Sequence, residues 1–323
     1  MIEQTTLKER PLGRNALIGA ITGFLAGHDP TRLDESRVAL EREIDAAGPA
    51  ALATLNQRLA TAGTDWTYYR GDVLARTIHR VVAERLMPAD SAIVGVEHLE
   101  TVAGAPVVIC ANHLSYSDAN VLDVLLHRAG ADAFADRLTV IAGPKVYSST
   151  RRRFSSLCFG TIKTPQSSAL STEDAVMQAR EVARAARQCI TTAHERLRLC
   201  DALLVFVEGS RSRTGQMQQA LAAVARYFEV PGTWILPVGI TGSELMFPVG
   251  EDDHLYPVTL TAQVGQPFRA EQLRELTGSN RRLAMDVVGL AIAATLPVRY
   301  QGLYAEGASD LGDARSVLAT LRS

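Results

Sequence analysis

The hydrophobic positions change rhythm near residue 90. Before it they recur at helical spacing, and residues 1–88 read as helical throughout. Val38, Leu40 and Ile44, then Leu52, Leu55 and Leu59, form two short amphipathic patterns on either side of Gly48-Pro49. A longer stripe takes in Trp66, Tyr69, Val73, Ile78, Val81, Val82 and Leu86 and stops at Met87-Pro88, because proline disfavours helical geometry in the residue before it. Nearer the start, the run 16–27 is almost wholly apolar and follows Lys8, Arg10 and Arg14. A spanning helix needs roughly 20 apolar residues, so this run is too short to cross a bilayer. It reads first as a packed core helix, with an interfacial helix or a signal peptide as alternatives.

From residue 92 short apolar runs alternate with helical periods. Residues 105–110, 138–142, 160–164, 202–207 and 234–240 read as strands, with 258–264 as a later one; helices fall near 118–129, 172–198 and 216–229. In 172–198 the stripe is Val176, Ala179, Ala183, Ala186, Ile190, Ala193 and Leu197, at steps of three and four. Glu173 and Asp174 at its start and Arg196 and Arg198 at its end complement the helix dipole. This alternation predicts an α/β fold, with a mainly parallel central sheet flanked by helices and preceded by an N-terminal helical bundle. The expected division is a helical domain over 1–88 and an α/β domain over 89–323.

Composition narrows the function. The chain has 323 residues, 47% hydrophobic and 21% charged, a globular balance. A net charge of -2 gives no general affinity for nucleic acid, so any anion site must be local. Cys110, Cys158, Cys189 and Cys200 lack the paired spacing of zinc ligands, and no metal site is expected. Cys110 and Cys189 sit among apolar neighbours and read as small buried hydrophobes. A reduced, cytoplasmic protein, soluble or peripheral, is the default.

Two segments can carry chemistry, each directly after a predicted strand. The first runs from Asn112 through His113 and Tyr116 to Asp118. Inside a continuous helix, residues five apart point about 140° away from each other, but at a strand-to-helix turn His113 and Asp118 can meet. A carboxylate on one imidazole nitrogen fixes the tautomer and leaves the other nitrogen as a base. The plainer alternative is that Ser117 or Asp118 caps the helix and His113 is a solvated loop residue.

The second segment is Glu208-Gly209-Ser210-Arg211-Ser212-Arg213. Turns after parallel strands are where open α/β sheets bind ligands. Two arginines there can clamp an anion, the alternative being a solvated basic turn. No Gly-Lys-Ser/Thr follows, which excludes a nucleotide phosphate loop. No Gly-x-Ser-x-Gly occurs, which removes the usual serine nucleophile. An acceptor hydroxyl activated by His113 would serve instead, attacking a thioester.

With the block 235–240 and the segment 296–304, these motifs stand in order and resemble the glycerol-3-phosphate / 1-acylglycerol-3-phosphate (lysophosphatidate) acyltransferase family over roughly residues 92–305. The family's His-x-x-x-x-Asp falls on His113 and Asp118, and its Glu-Gly-Thr-Arg-Ser-Arg on 208–213. The resemblance implies an O-acyltransferase of phospholipid biosynthesis. A fatty acyl group would pass from acyl-CoA or acyl carrier protein to the hydroxyl of a glycerol phosphate or lysophosphatidate-type acceptor, with no cofactor.

The resemblance also implies roles. His113 would deprotonate the acceptor and Asp118 would orient it. Glu208, Gly209 and Ser210 would shape the acceptor site, and Arg211 and Arg213, with Lys145, would hold its phosphate. The family carries an arginine a few residues after a Gly-x-Ile strand, where Gln166 stands here. Lys163 is the nearest substitute, although on a strand it faces away from residues 164 and 166.

The N-terminal helical region and residues 142–160 are similar to the soluble plastid-type glycerol-3-phosphate acyltransferases, which keeps glycerol 3-phosphate beside lysophosphatidate as acceptor. Arg151, Arg152 and Arg153 beside Phe154 read as a contact for anionic lipid at the inner face of the membrane, or as a solvated basic helix end. The rivals are transfer to a non-glycerolipid alcohol, a thioesterase using water, and a lipid-binding protein without activity.

Overall fold

The computed structural model describes residues 12–27, 33–165, 179–246, 256–308 and 310–323. Lys8, Arg10, Gln166, Glu173, Asp174 and Val176 lie outside the described residues.

Among the described residues nine strands form one sheet. They are β1 (Tyr68–Tyr69), β2 (Ala92–Val94), β3 (Val107–Ala111), β4 (Leu138–Ala142), β5 (Gly160–Lys163), β6 (Ala202–Phe206), β7 (Trp234–Thr241), β8 (Thr261–Val264) and β9 (Phe268–Arg269). Their order is β1-β5-β4-β6-β3-β7-β8-β2, with β9 also on β7. The centre β5-β4-β6-β3-β7 is parallel. The margins are not: β1 runs antiparallel to β5, and β8 and β9 run antiparallel to β7. The fold is therefore mixed α/β, parallel where the motif loops leave it.

The central strand β3 explains its own sequence. Val107, Ile109 and Ala111 enter one core and Val108 and Cys110 the other, all fully buried. A strand covered on both faces reads as a continuous apolar run. One face carries Cys189, Ala193 and Leu197 of the Ala179–Arg198 helix and Met285 and Val288 of the Arg281–Ala293 helix. The other carries Val121, Leu122 and Leu125 of the Asp118–Arg128 helix. In Ala179–Arg198 the buried side chains are Ala185, Cys189, Thr192, Ala193 and Leu197, while Ala183 is exposed. Ala186 and Ile190 line a cavity instead, so core and cavity share the predicted stripe.

Three helices precede the parallel strands: α1 (Arg14–Ala26), α2 (Leu33–Thr61) and α3 (Val73–Leu86). They bury Leu17, Ile18, Leu40, Ile44, Leu55, Leu59 and Ile78 in a core shared with Ala142, Tyr147 and Leu157, while Leu25, Ala83 and Leu86 join the core of the sheet. The packed reading of α1 holds, and no helix among the described residues is long and apolar enough to cross a membrane. α2 breaks at Gly48, whose φ of 78° and ψ of 172° suit only glycine, so the two predicted patterns are two helices meeting at a kink.

Three readings change. Trp66 and Tyr69 are not helical, because β1 pairs with β5 and Asp72 starts α3 by accepting the Ala75 N–H at 3.0 Å. The helix expected over 216–229 shrinks to a 3-10 run, Ala222–Glu229. The three-residue strand β2, paired with β8, is too short to show a period in sequence. Arg76 and Arg80 of α3 grip the fully buried Asp123 at 2.6 and 3.2 Å, fastening α3 to the helix that begins at Asp118.

Candidate active site

β3 and β6 are adjacent and parallel, with Ala111 opposite Phe206. The loops that follow them therefore leave the same edge of the sheet side by side. His113 donates its main-chain N–H to Glu208 Oε1 at 2.8 Å, and Glu208 Oε2 accepts the Gln218 N–H at 2.8 Å. Ser212 returns a bond, its N–H donating to the His113 carbonyl at 2.7 Å. The side chain of Asn112 pairs with both backbone groups of Ile240, at 2.9 and 2.8 Å, tying the end of β3 to β7.

Glycine is required at 209. Its φ is +69°, and a Cβ there would stand 2.4 Å from Leu221 Cδ1. The segment 296–304 braces the far end of this loop. Met217 donates its N–H to the Tyr300 carbonyl at 2.8 Å, and Ala220 donates to the Tyr304 hydroxyl at 3.0 Å.

The structure brings His113 and Asp118 together. Nδ1 lies 2.9 Å from Asp118 Oδ2, and the imidazole stacks on Phe206 with centroids 4.1 Å apart. Asp118 is fully buried. Its Oδ2 also accepts the N–H groups of Leu114 at 2.7 Å and Ser115 at 3.0 Å, and its Oδ1 accepts the Ser243 hydroxyl at 2.6 Å. The carboxylate thus turns back over the loop, and Ser117 makes no side-chain cap bond to the helix. A carboxylate accepts only, so Nδ1 carries the hydrogen, and in the neutral ring Nε2 is then the acceptor, the form a general base needs.

Glu208 sits behind the pair, 4% exposed. Burial pushes its carboxyl up to about 7. The N–H groups of Gln218 and His113 draw it down, and the Asp118 charge adds to the rise.

His113 opens onto a cavity of about 1360 Å³. Around its polar part stand Lys145, Gly209, Ser210, Arg211 and Arg213. The Arg211 guanidinium lies 3.7 Å from the centroid of the exposed Tyr116 ring. The apolar part is walled by Leu17, Ile21 and Phe24 of α1 and Val82 and Leu86 of α3.

One expected site residue, Lys163, is placed elsewhere. Lys163 donates to the Gly63 carbonyl at 2.5 Å and lies over the Trp66 and Tyr147 rings at 4.5 and 5.8 Å. It faces the segment between α2 and α3 and does not line the cavity, although Thr161 on the same face of β5 does. Glu208 holds the loops rather than lining the cavity. Phe154 is partly buried, packing against the N-terminal core and lining the cavity.

Sequence reasoning missed Ser243, Phe206 and Tyr116 as parts of this arrangement. Tyr116 lies inside the first motif, but nothing in the spacing tells that its ring receives a guanidinium. Ser243 is 125 residues from its partner Asp118. Among the described residues no cluster of His, Cys, Asp or Glu is placed to hold a metal ion.

Residues 92–241 match the family model described as Acyltransferase. Among solved structures, the chain is similar to the 1-acyl-sn-glycerophosphate (LPA) acyltransferase PlsC from Thermotoga maritima, with 16% identity and a TM-score of 0.49 over 87% of this chain and 95% of that one. No curated protein matches the sequence.

Proposed function

We propose, from the match of residues 92–241 to the acyltransferase family model, that the chain is an acyltransferase, transferring a fatty acyl group from a thioester to the hydroxyl of a phosphorylated glycerol or lysophosphatidate-type acceptor. The observation that carries the reading is His113: Nδ1 is committed to Asp118 at 2.9 Å, and the ring lines a cavity bordered by Arg211, Arg213 and Lys145.

In the proposed reaction Nε2 removes the acceptor hydroxyl proton as that oxygen attacks the thioester carbonyl carbon. The tetrahedral intermediate collapses with cleavage of the carbon–sulfur bond. The departing thiolate takes the proton back from Nε2, so His113 returns to its starting form. Asp118 stabilises the imidazolium formed between these steps. The thioester, acyl-CoA or acyl carrier protein, is consumed as substrate.

The guanidinium and ammonium groups suit a phosphate, and the walls from α1 and α3 suit an acyl chain. A lysolipid acceptor would be met at a membrane surface, so a cytoplasmic protein peripheral on the inner face belongs to the same proposal. So does the division into a helical domain over 1–88 and an α/β domain over 89–323.

The test is thioester consumption against glycerol 3-phosphate, 1-acylglycerol 3-phosphate, other lysolipids and unphosphorylated alcohols. Acylated phosphorylated product is expected. Release of free fatty acid with every acceptor, or a preference for unphosphorylated alcohols, would overturn the reading.

A further inference from the structure

We infer that Arg152 is a further ligand for the acceptor phosphate, gathered beside Arg211 by the ring of Tyr116. The inference rests on the phosphorylated-acceptor reading above and extends it to a residue outside the motifs that suggested it.

Arg152 belongs to the short helix Thr150–Ser156, and Arg211 to the loop after β6. The fold nonetheless brings both guanidinium groups to one aromatic ring, at 5.0 Å for Arg152 and 3.7 Å for Arg211. Both arginines, Tyr116 and His113 line the same cavity. A ring face attracts a cation by on the order of 1 kcal/mol at an exposed site, and two cations at one ring also repel each other. A dianionic group that both reach offers acceptors enough for the two guanidinium groups.

The head of Arg152 is aimed by its own neighbours. Its Nη1 lies 3.2 Å from Ser148 Oγ and 3.4 Å from the Lys145 carbonyl, so the arginine is braced on the segment that carries Lys145. Its main-chain N–H meets Ser149 Oγ at 3.3 Å, where Ser149 caps the helix. Lys163 does not line the cavity, so on the β4–β5 side the cations at the cavity include Lys145 and Arg152.

Tyr116 lies between His113 and Asp118 in the same loop. A phosphate held at Tyr116 is thereby fixed relative to Nε2, and the acceptor hydroxyl is presented at a set distance from the base. Arg152 thus selects phosphorylated acceptors over plain alcohols.

The full chain would be compared as wild type, Arg152→Ala and Arg152→Lys. Calorimetric binding of glycerol 3-phosphate and of a short-chain 1-acylglycerol 3-phosphate would be measured beside acceptor and donor KM, with thermal melting as a check on folding. Arg152→Ala is expected to weaken binding of the phosphorylated acceptor about tenfold or more and to raise its KM likewise, the scale of one lost charge-assisted bond. The donor KM should stay within about twofold, and Arg152→Lys should fall between.

Binding of both phosphorylated ligands within about twofold of wild type in Arg152→Ala overturns the inference. So does an equal rise in donor and acceptor KM. Loss of binding to phosphatidylglycerol vesicles with unchanged binding of the soluble phosphates assigns Arg152 to lipid headgroups and overturns it too. Arg152-dependent binding of glycerol 3-phosphate without turnover of any phosphorylated acceptor would sink the proposed function and leave Arg152 as a phosphate ligand.

Discussion

The main-chain N–H of His113 donates to the buried carboxyl of Glu208 at 2.8 Å, and through that bond two loops 95 residues apart hold each other in place. Glu208 meets the second loop with its other oxygen, at Gln218. Glu208→Gln offers one acceptor to two N–H groups and presses an amide against the other. It should lower kcat, measured at pH 8 in a protein that still unfolds cooperatively. Unchanged turnover would remove the bracing role.

Glu208 also makes stability depend on pH. Its carboxyl titrates at about 7 in the fold against a usual 4.5, because burial disfavours the charge. Below 4.5 both folded and unfolded chains hold the proton. Between 4.5 and 7 the unfolded chain releases it first, so stability falls as pH rises, by on the order of 3 kcal/mol when complete, and this contribution is flat above. Glu208→Gln should lose that slope. Urea midpoints from about pH 4.5 to 8 check it, and equal slopes in the two proteins would refute it.

His113→Ala should lower kcat by roughly two to four orders of magnitude in a protein that still melts cooperatively. Near-normal acyl transfer would eliminate the general-base role. Ser243→Ala removes the hydroxyl that donates to Asp118 Oδ1. It should reduce kcat about tenfold, the scale of one hydrogen bond to a charged group, without moving the acceptor KM. A shift in KM alone would place Ser243 at the substrate instead.

Arg211→Ala should raise the acceptor KM far more than the donor KM. Arg211→Lys should restore only part of the loss, because an ammonium lacks the plane that stacks on Tyr116. Equal effects on both substrates, measured by steady-state kinetics, would contradict a phosphate contact.

Lys163→Met should lower the melting temperature and leave the acceptor KM unchanged, since the ammonium holds the Gly63 carbonyl and the Trp66 ring. A rise in KM would return Lys163 to the acceptor site.

Much of this was legible in the chain because local rules set it. The apolar runs at 138–142 and 202–207 became strands because both faces of the central sheet are covered, and Gly48-Pro49 broke a helix where only glycine takes the required φ. Trp66 and Tyr69 misled because their spacing fits a helix, whereas the edge of β5 offered the backbone of Tyr68 and Tyr69 a ladder. A period cannot register a partner nearly a hundred residues away.

The sequence by itself determined that a histidine and an aspartate would follow one buried strand, and a glutamate and two arginines another. Tertiary structure decided that these strands are neighbours, that Ser243 and Glu208 reach the histidine loop, and that Arg152 and Arg211 meet at Tyr116 while Lys163 holds the Gly63 carbonyl. The reason is physical. Strand and helix preferences act over a few residues, but which loops share an edge is settled only when the sheet orders its strands and buries both faces.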